Sequence, residues 1–171
     1  AWVYDVVPER AAAYADEMGQ RLSLPLRVAK TPTEAVCEAD VVCTATVSSS
    51  PVFEDADVRP GTHINAVGAD ARGKQELDPA LLASARVVVD DLTQACNAGE
   101  INVPLRQGLF EKDQIWATLG EIIAVTKPGR TEDREITIFD TTGLAIEDVA
   151  TAWLVYQRAI ERGGYNHMDI V

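Results

Sequence analysis

The chain has 171 residues, 47% of them apolar and 25% charged, which fits one globular domain and excludes a disordered or fibrous protein. Its 27 acids against 15 bases leave a formal charge of −12, a surface that repels a phosphate backbone and argues against nucleic acid as a partner. No apolar run reaches the roughly 18 residues of a membrane span, and no basic segment followed by an apolar stretch marks a secretion signal.

The elements alternate along the chain. Ala1–Asp5 reads as a strand ending in an acid, and it begins so abruptly that part of a longer protein is expected. Pro8 opens a helix that Gly19 is expected to stop. Leu24–Val28 is a second strand, and Thr31-Pro32-Thr33-Glu34 caps a helix reaching about Ala39. Asp40–Thr44 is a third strand, followed by the polar loop Ala45–Ser50. Pro60-Gly61 turns into the fourth strand, His63–Val67. Pro79–Ser84 is helical, and Arg86–Asp90 has the continuous apolar character of a parallel strand covered on both faces. Leu92–Ala98 is helical up to Gly99, and Ile115–Val125 reads as a helix interrupted at Thr118-Leu119-Gly120. Glu135–Asp140 is the last strand, and a long helix from about Ile146 to Arg162 stops at Gly163-Gly164 before a tail, Tyr165–Val171. Strands alternating with helices predict an α/β fold with a doubly wound parallel sheet of Rossmann type, incomplete at its N-terminus.

Three cysteines, Cys37, Cys43 and Cys96, have no C-x-x-C spacing, so a zinc site or a disulfide framework is not expected. They read as small buried hydrophobes in a protein of the reducing cytoplasm. His63, inside a strand, reads as a hydrogen-bonded packing residue, and His167 lies in the tail. Neither belongs to an H-E-x-x-H pattern, no metal site is expected, and no G-x-S-x-G marks a serine nucleophile.

Open α/β sheets place ligand chemistry beyond the carboxyl ends of their strands. Gly61–Leu77 fits that placement: a short strand stops at Gly68 and delivers Asp70, Arg72 and Lys74 into a loop. An ordinary charged surface loop fits the residue types as well. Asp5, at the end of the first strand, stands where a Rossmann acid receives the adenosine ribose hydroxyls and favours NAD over NADP. A helix cap or a surface charge is the plainer reading of it. The glycine-rich pyrophosphate turn expected about 20 residues upstream of such an acid is not in this sequence. The hydroxyl-rich loop Thr44–Pro51 could line an adenosine pocket or simply form a turn. In Asp140-Thr141-Thr142-Gly143, the hydroxyls could meet a nicotinamide edge while Thr142 caps the long helix.

Three stretches carry a resemblance: G-T-H-I-N-A-V-G-A-D-A-R-G-K-Q-E-L-D (Gly61–Asp78), A-D-V-V-C-T-A-T (Ala39–Thr46) and I-F-D-T-T-G-L-A-I-E-D-V-A (Ile138–Ala150), with Gly99-Glu100-Ile101 beside them. Together they resemble the ornithine cyclodeaminase/mu-crystallin family over essentially the whole chain, and most nearly its archaeal-type NAD-dependent alanine dehydrogenase branch. The resemblance implies a dinucleotide-binding domain over 1–155, lacking its first strand and glycine loop. It also implies a segment, 156–171, returning toward a preceding substrate and dimerisation domain. That domain would hold the arginine and lysine that take the substrate carboxylate, and would make the full-length protein a homodimer. It places Asp70 at the position of a catalytic acid/base, and Asp5, Thr46, Val67, Lys74 and Thr141 at NAD-contact positions, with Thr141 in place of the usual serine. The activity implied is oxidative deamination of a small L-amino acid to a 2-oxo acid and ammonia. Ornithine cyclisation, cyclic ketimine reduction and mu-crystallin-type binding without turnover are the alternatives. An acid at position 70, absent from the mu-crystallin branch, points toward chemistry. Shielding of that acid by a closed site would raise its pKa, while Arg72 or Lys74 would oppose this.

Overall fold

The computed structural model describes residues 1–166 and 168; His167 and tail positions 169–171 lie outside the described residues. The first strand, β1 (Trp2–Val3), pairs in parallel with β2 (Arg27–Val28), and α1 (Pro8–Leu22) connects them. Gly19 does not end α1. The helix continues to Leu22 and closes on Ser23, whose φ of 52° lets the Leu24 N–H donate back to the Gly19 carbonyl. After α2 (Pro32–Val36), with the Thr31 hydroxyl accepting the Glu34 N–H at 3.1 Å as its cap, the chain enters a second sheet.

That sheet contains β3 (Val41–Thr44), β4 (His63–Ala66), β5 (Arg86–Val89), β6 (Ile115–Thr118) and β7 (Thr137–Asp140), all parallel, in the order β3-β4-β7-β5-β6. Helices α3 (Pro79–Ser84), α4 (Leu92–Asn97), α5 (Asn102–Gln107), α6 (Leu119–Ile123) and α7 (Ala145–Arg162) follow or link these strands. The expected helix Ile115–Val125 is therefore a strand followed by a short helix. Thr118 is the hinge: its hydroxyl accepts the Glu121 N–H while the Glu121 carboxylate accepts the Thr118 N–H, a capping box that starts α6 after β6 has ended. Helix α5, with Pro104 in its first turn, has no counterpart among the expected elements.

In-register residues of a parallel sheet share a face. One face carries the row Val42–Ile64–Ile138–Val87 and the row Thr44–Ala66–Asp140–Val89, all buried. Over it pack Val36, Leu81, Leu82, Ala95, Ile101 and Phe110, which form the core. The opposite face, with Val41 and Cys43 exposed and His63, Asn65 and Phe139 half-buried, is less covered by this chain. His63 reaches Thr137 Oγ1 at 2.8 Å there, as expected of a packing histidine. The cysteines depart from expectation. Cys37 and Cys43 are exposed, Cys43 because it lies on the less covered face of an edge strand, and only Cys96 is half-buried.

Candidate functional site

Three neighbouring strands, β3, β4 and β7, end level with one another: Thr44, Ala66 and Asp140 are register partners. Thr46, Val67, Asp70, Lys74 and Thr141 all leave that one edge. The sheet ladder extends into the loops, since the Val67 N–H donates to the Thr44 carbonyl at 2.9 Å and the Thr141 N–H to the Ala66 carbonyl at 3.1 Å. Asp5 stands apart, beyond β1 of the other sheet, where its Oδ1 accepts the Val7 N–H at 2.7 Å in a local turn.

Asp70 is 60% exposed and its Oδ1 receives the Lys74 ammonium at 2.5 Å. The hydrogen bond and charge of Lys74 hold the Asp70 carboxyl below its usual range, so within this chain the lysine wins over any effect of shielding. Lys74 is itself placed by Asn102, whose side-chain amide donates to the Lys74 carbonyl at 3.0 Å and accepts the Gly73 N–H at 3.0 Å.

The turn after β7 is organised by Asp90, at the end of β5. Its carboxylate accepts the Thr142 N–H at 2.6 Å and the Gly143 N–H at 3.1 Å, together with the hydroxyls of Thr141 and Thr142. Thr142 therefore does not cap α7. The residue at the cap position is Leu144, and the threonine hydroxyl is held by Asp90. Gly143 adopts a φ of 76°, open to an L side chain only with strain, and has nothing packed above it.

Beneath this edge lie three fully buried acids. Glu76 accepts the Thr46 and Gly68 N–H groups; Glu100 accepts those of Glu76 and Leu77; Asp140 accepts that of Glu100. Burial, reinforced by the neighbouring carboxylates, pushes Glu100 up to about 8 and Asp140 to about 7 against the backbone donors that favour the charged forms. Asp140 Oδ2 has no partner among the described residues. Sequence reasoning singled out none of Glu76, Asp90, Glu100 or Asn102 as a residue with its own task. Each binds backbone 8 to 53 positions away, and the only local traces are an acid ending a strand or following a glycine.

The edge offers an exposed apolar side chain, Val67, after the strand that lies between those leading to Thr46 and Thr141, and the loop that follows carries the Asp70–Lys74 ion pair. Two shallow hollows, of about 290 and 450 Å³, lie elsewhere, one against Arg86, Trp116 and Glu135 and the other against Pro32, Phe53 and Asp57.

A parallel sheet with its hydroxyl-bearing and charged loops gathered at the carboxyl ends of adjacent strands defines a Rossmann-like α/β domain. The profile of the ornithine cyclodeaminase/mu-crystallin family matches residues 2–163, and the chain belongs to that family. An alanine dehydrogenase of Archaeoglobus fulgidus is 47% identical over 163 residues, 93% of this chain and 48% of that protein. An archaeal alanine dehydrogenase dimer with bound NAD superposes with a TM-score of 0.91 at 43% identity, covering 99% of this chain and 52% of that one. The Delta(1)-pyrroline-2-carboxylate reductase of Thermococcus litoralis, in complex with NADH and L-proline, superposes with a TM-score of 0.94 at 37% identity, covering 98% of this chain and 52% of that one. The chain thus spans about half the length of the relatives it matches.

Proposed function

We propose that this chain is the dinucleotide-binding part of an NAD-dependent oxidoreductase that acts on the C–N bond of a small L-amino acid. Deamination of alanine type, to a 2-oxo acid and ammonia, is the reading supported by the 47% identity to the Archaeoglobus fulgidus alanine dehydrogenase. The observation that carries the proposal is the level ending of β3, β4 and β7, which gathers Thr46, Val67, Asp70, Lys74 and Thr141 at one edge. The bound nicotinamide supplies hydride exchange with the α-carbon of the substrate. Asp70 moves a proton on the substrate amine or on the attacking water. Lys74 holds that carboxyl below its usual range, and so ready as a base. Thr46, Val67, Lys74 and Thr141 contact the cofactor, and Asp5 meets the adenosine ribose and sets the preference for NAD.

The rest of the longer protein completes the site. Among the described residues β1 pairs only with β2, and β3 only with β4, so each sheet leaves an edge for a further strand. We assign the missing Rossmann strand and its pyrophosphate loop to that place, and the substrate-carboxylate ligands to a preceding domain that also makes the homodimer. Two exposed thiols, Cys37 and Cys43, suit the reducing cytoplasm.

The test uses the full-length protein. NADH oxidation with pyruvate and ammonia supports the alanine reading. Oxidation only with Delta(1)-pyrroline-2-carboxylate supports the cyclic-imine alternative, which the likeness to the Thermococcus enzyme favours. Tight NADH binding with no turnover of either would move the protein to the mu-crystallin type. Asp70→Asn is expected to lower kcat by about 10²–10⁴-fold while NADH binding persists; unchanged turnover removes Asp70 from its role.

A further inference from the structure

The carboxylate of Glu76 is fully buried, yet the chemistry above makes no use of it. Its two oxygens are divided between two loops. Oε1 accepts the Thr46 N–H, beyond β3, and Oε2 accepts the Gly68 N–H at 2.9 Å, beyond β4. The seat is built for it: a Cβ on Gly68 would stand 2.4 Å from the Thr46 carbonyl oxygen and 2.5 Å from the Glu76 carboxyl carbon. The main chain of Glu76 is fixed in turn, its N–H donating to the Glu100 carboxylate at 3.0 Å and its carbonyl accepting the Val52 N–H at 2.7 Å. Glu100 is held by Asp140, whose Oδ1 accepts the Glu100 N–H at 2.9 Å, and Gly99 leaves that carboxylate its room. Each buried acid thus grips the backbone that positions the next, from the end of β7 to the loops after β3 and β4.

We propose that Glu76 is a positioning residue that sets the separation of the loop presenting Thr46 from the loop presenting Val67, Asp70 and Lys74, so that one bound dinucleotide meets both. The proposal rests on the cofactor reading above. A carboxylate can accept on both oxygens at once. Glutamine has the same size but turns an N–H toward either Thr46 or Gly68, donor against donor, so one of the two ties is lost whichever way the amide is turned.

The experiment compares the full-length wild type with Glu76→Gln, following NADH affinity by fluorescence titration and hydrogen exchange at the Thr46 and Gly68 amides. The variant is expected to bind NADH at least tenfold more weakly and to exchange faster at these amides, with β5 and β6 unchanged. A merely structural glutamate would lower the melting temperature and leave the NADH Kd of the folded protein within twofold of wild type, and that result overturns the proposal. Should Glu76→Gln fail to fold, the wild type decides. NADH must then slow exchange at Thr46 and Gly68 together, and slowing at neither or at only one overturns it. A wild type without NADH affinity fails the cofactor reading and this proposal with it; a wild type and a variant that bind NADH equally well fail the proposal alone.

Discussion

Burial sets the charge state of two acids beneath the strand-end edge, and that makes the stability of the protein pH-dependent in a defined direction. Glu100 and Asp140 are raised from ordinary values of 4.5 and 3.8 to about 8 and about 7, so the folded state binds protons that the unfolded chain has already released. Their contribution is complete below the ordinary carboxylate range and is lost as pH rises through 7 and 8. Asp70, Glu121 and Glu135 shift the other way, so their contribution is present above the ordinary range and fades as pH falls through their lowered values. Asp70 and Glu121 are exposed and Glu135 is half-buried, but all three act below the ordinary carboxylate range, so the window from pH 5 to 9 belongs to the buried pair. Urea unfolding is expected to show stability falling as pH rises across that window. Glu100→Gln, less stable at every pH, is expected to flatten the slope. A wild-type stability that rises from pH 5 to 9 would contradict the assignment.

Among the elements, the informative disagreement is at Ile115–Val125. Its apolar residues suit a helix as well as a short buried strand, and periodicity alone does not separate the two. Two things made the strand win. β5 needed a partner on its free side, and the register skips Trp116, whose ring takes Arg86 at 4.4 Å and Lys127 at 4.8 Å over it. The T-x-x-E spacing of the capping box was in the sequence and marks the true helix start. Thr118→Ala is therefore expected to cost about 1 kcal/mol in chemical denaturation, with Thr118→Ser nearly neutral, because only the hydroxyl matters there. The parallel α/β fold and the placement of Asp70, Lys74 and Thr141 at strand ends were legible because they follow from alternation and from short local patterns. The supports of those residues were not. Asn102 reaches Lys74 across 28 positions, and Asp90 reaches Gly143 across 53, so nothing in either local stretch announces the contact. The protonation of Asp70 was equally unreadable, because it depends on whether Lys74 actually closes on it.

For the molecule as a whole, the question is what covers α7. Ile146, Val149, Trp153, Tyr156 and Ile160 recur at alternating spacings of three and four, which puts them in one stripe along the helix, and all five are exposed. Trp153 and Tyr156 stack on each other, with ring centroids 5.7 Å apart, and Trp153 is still 59% exposed. A seam of this kind in water offers no stabilisation, and the chain spans about half the length of its relatives, so the remaining half is the surface we assign to it. The assignment makes a quantitative distinction in the full-length protein. If the stripe is packed against the rest of the polypeptide, Trp153→Ala removes a buried ring and is expected to cost about 3–5 kcal/mol. The native tryptophan emission should then be blue-shifted and shielded from iodide. If α7 remains in solvent, the same substitution should change stability by less than about 0.5 kcal/mol, with quenching like that of a free indole. The second result would withdraw that assignment of a cover for α7. The edge proposed for the cofactor would stand unaffected, because β3, β4 and β7 are aligned by their own ladder and by the buried acids beneath them.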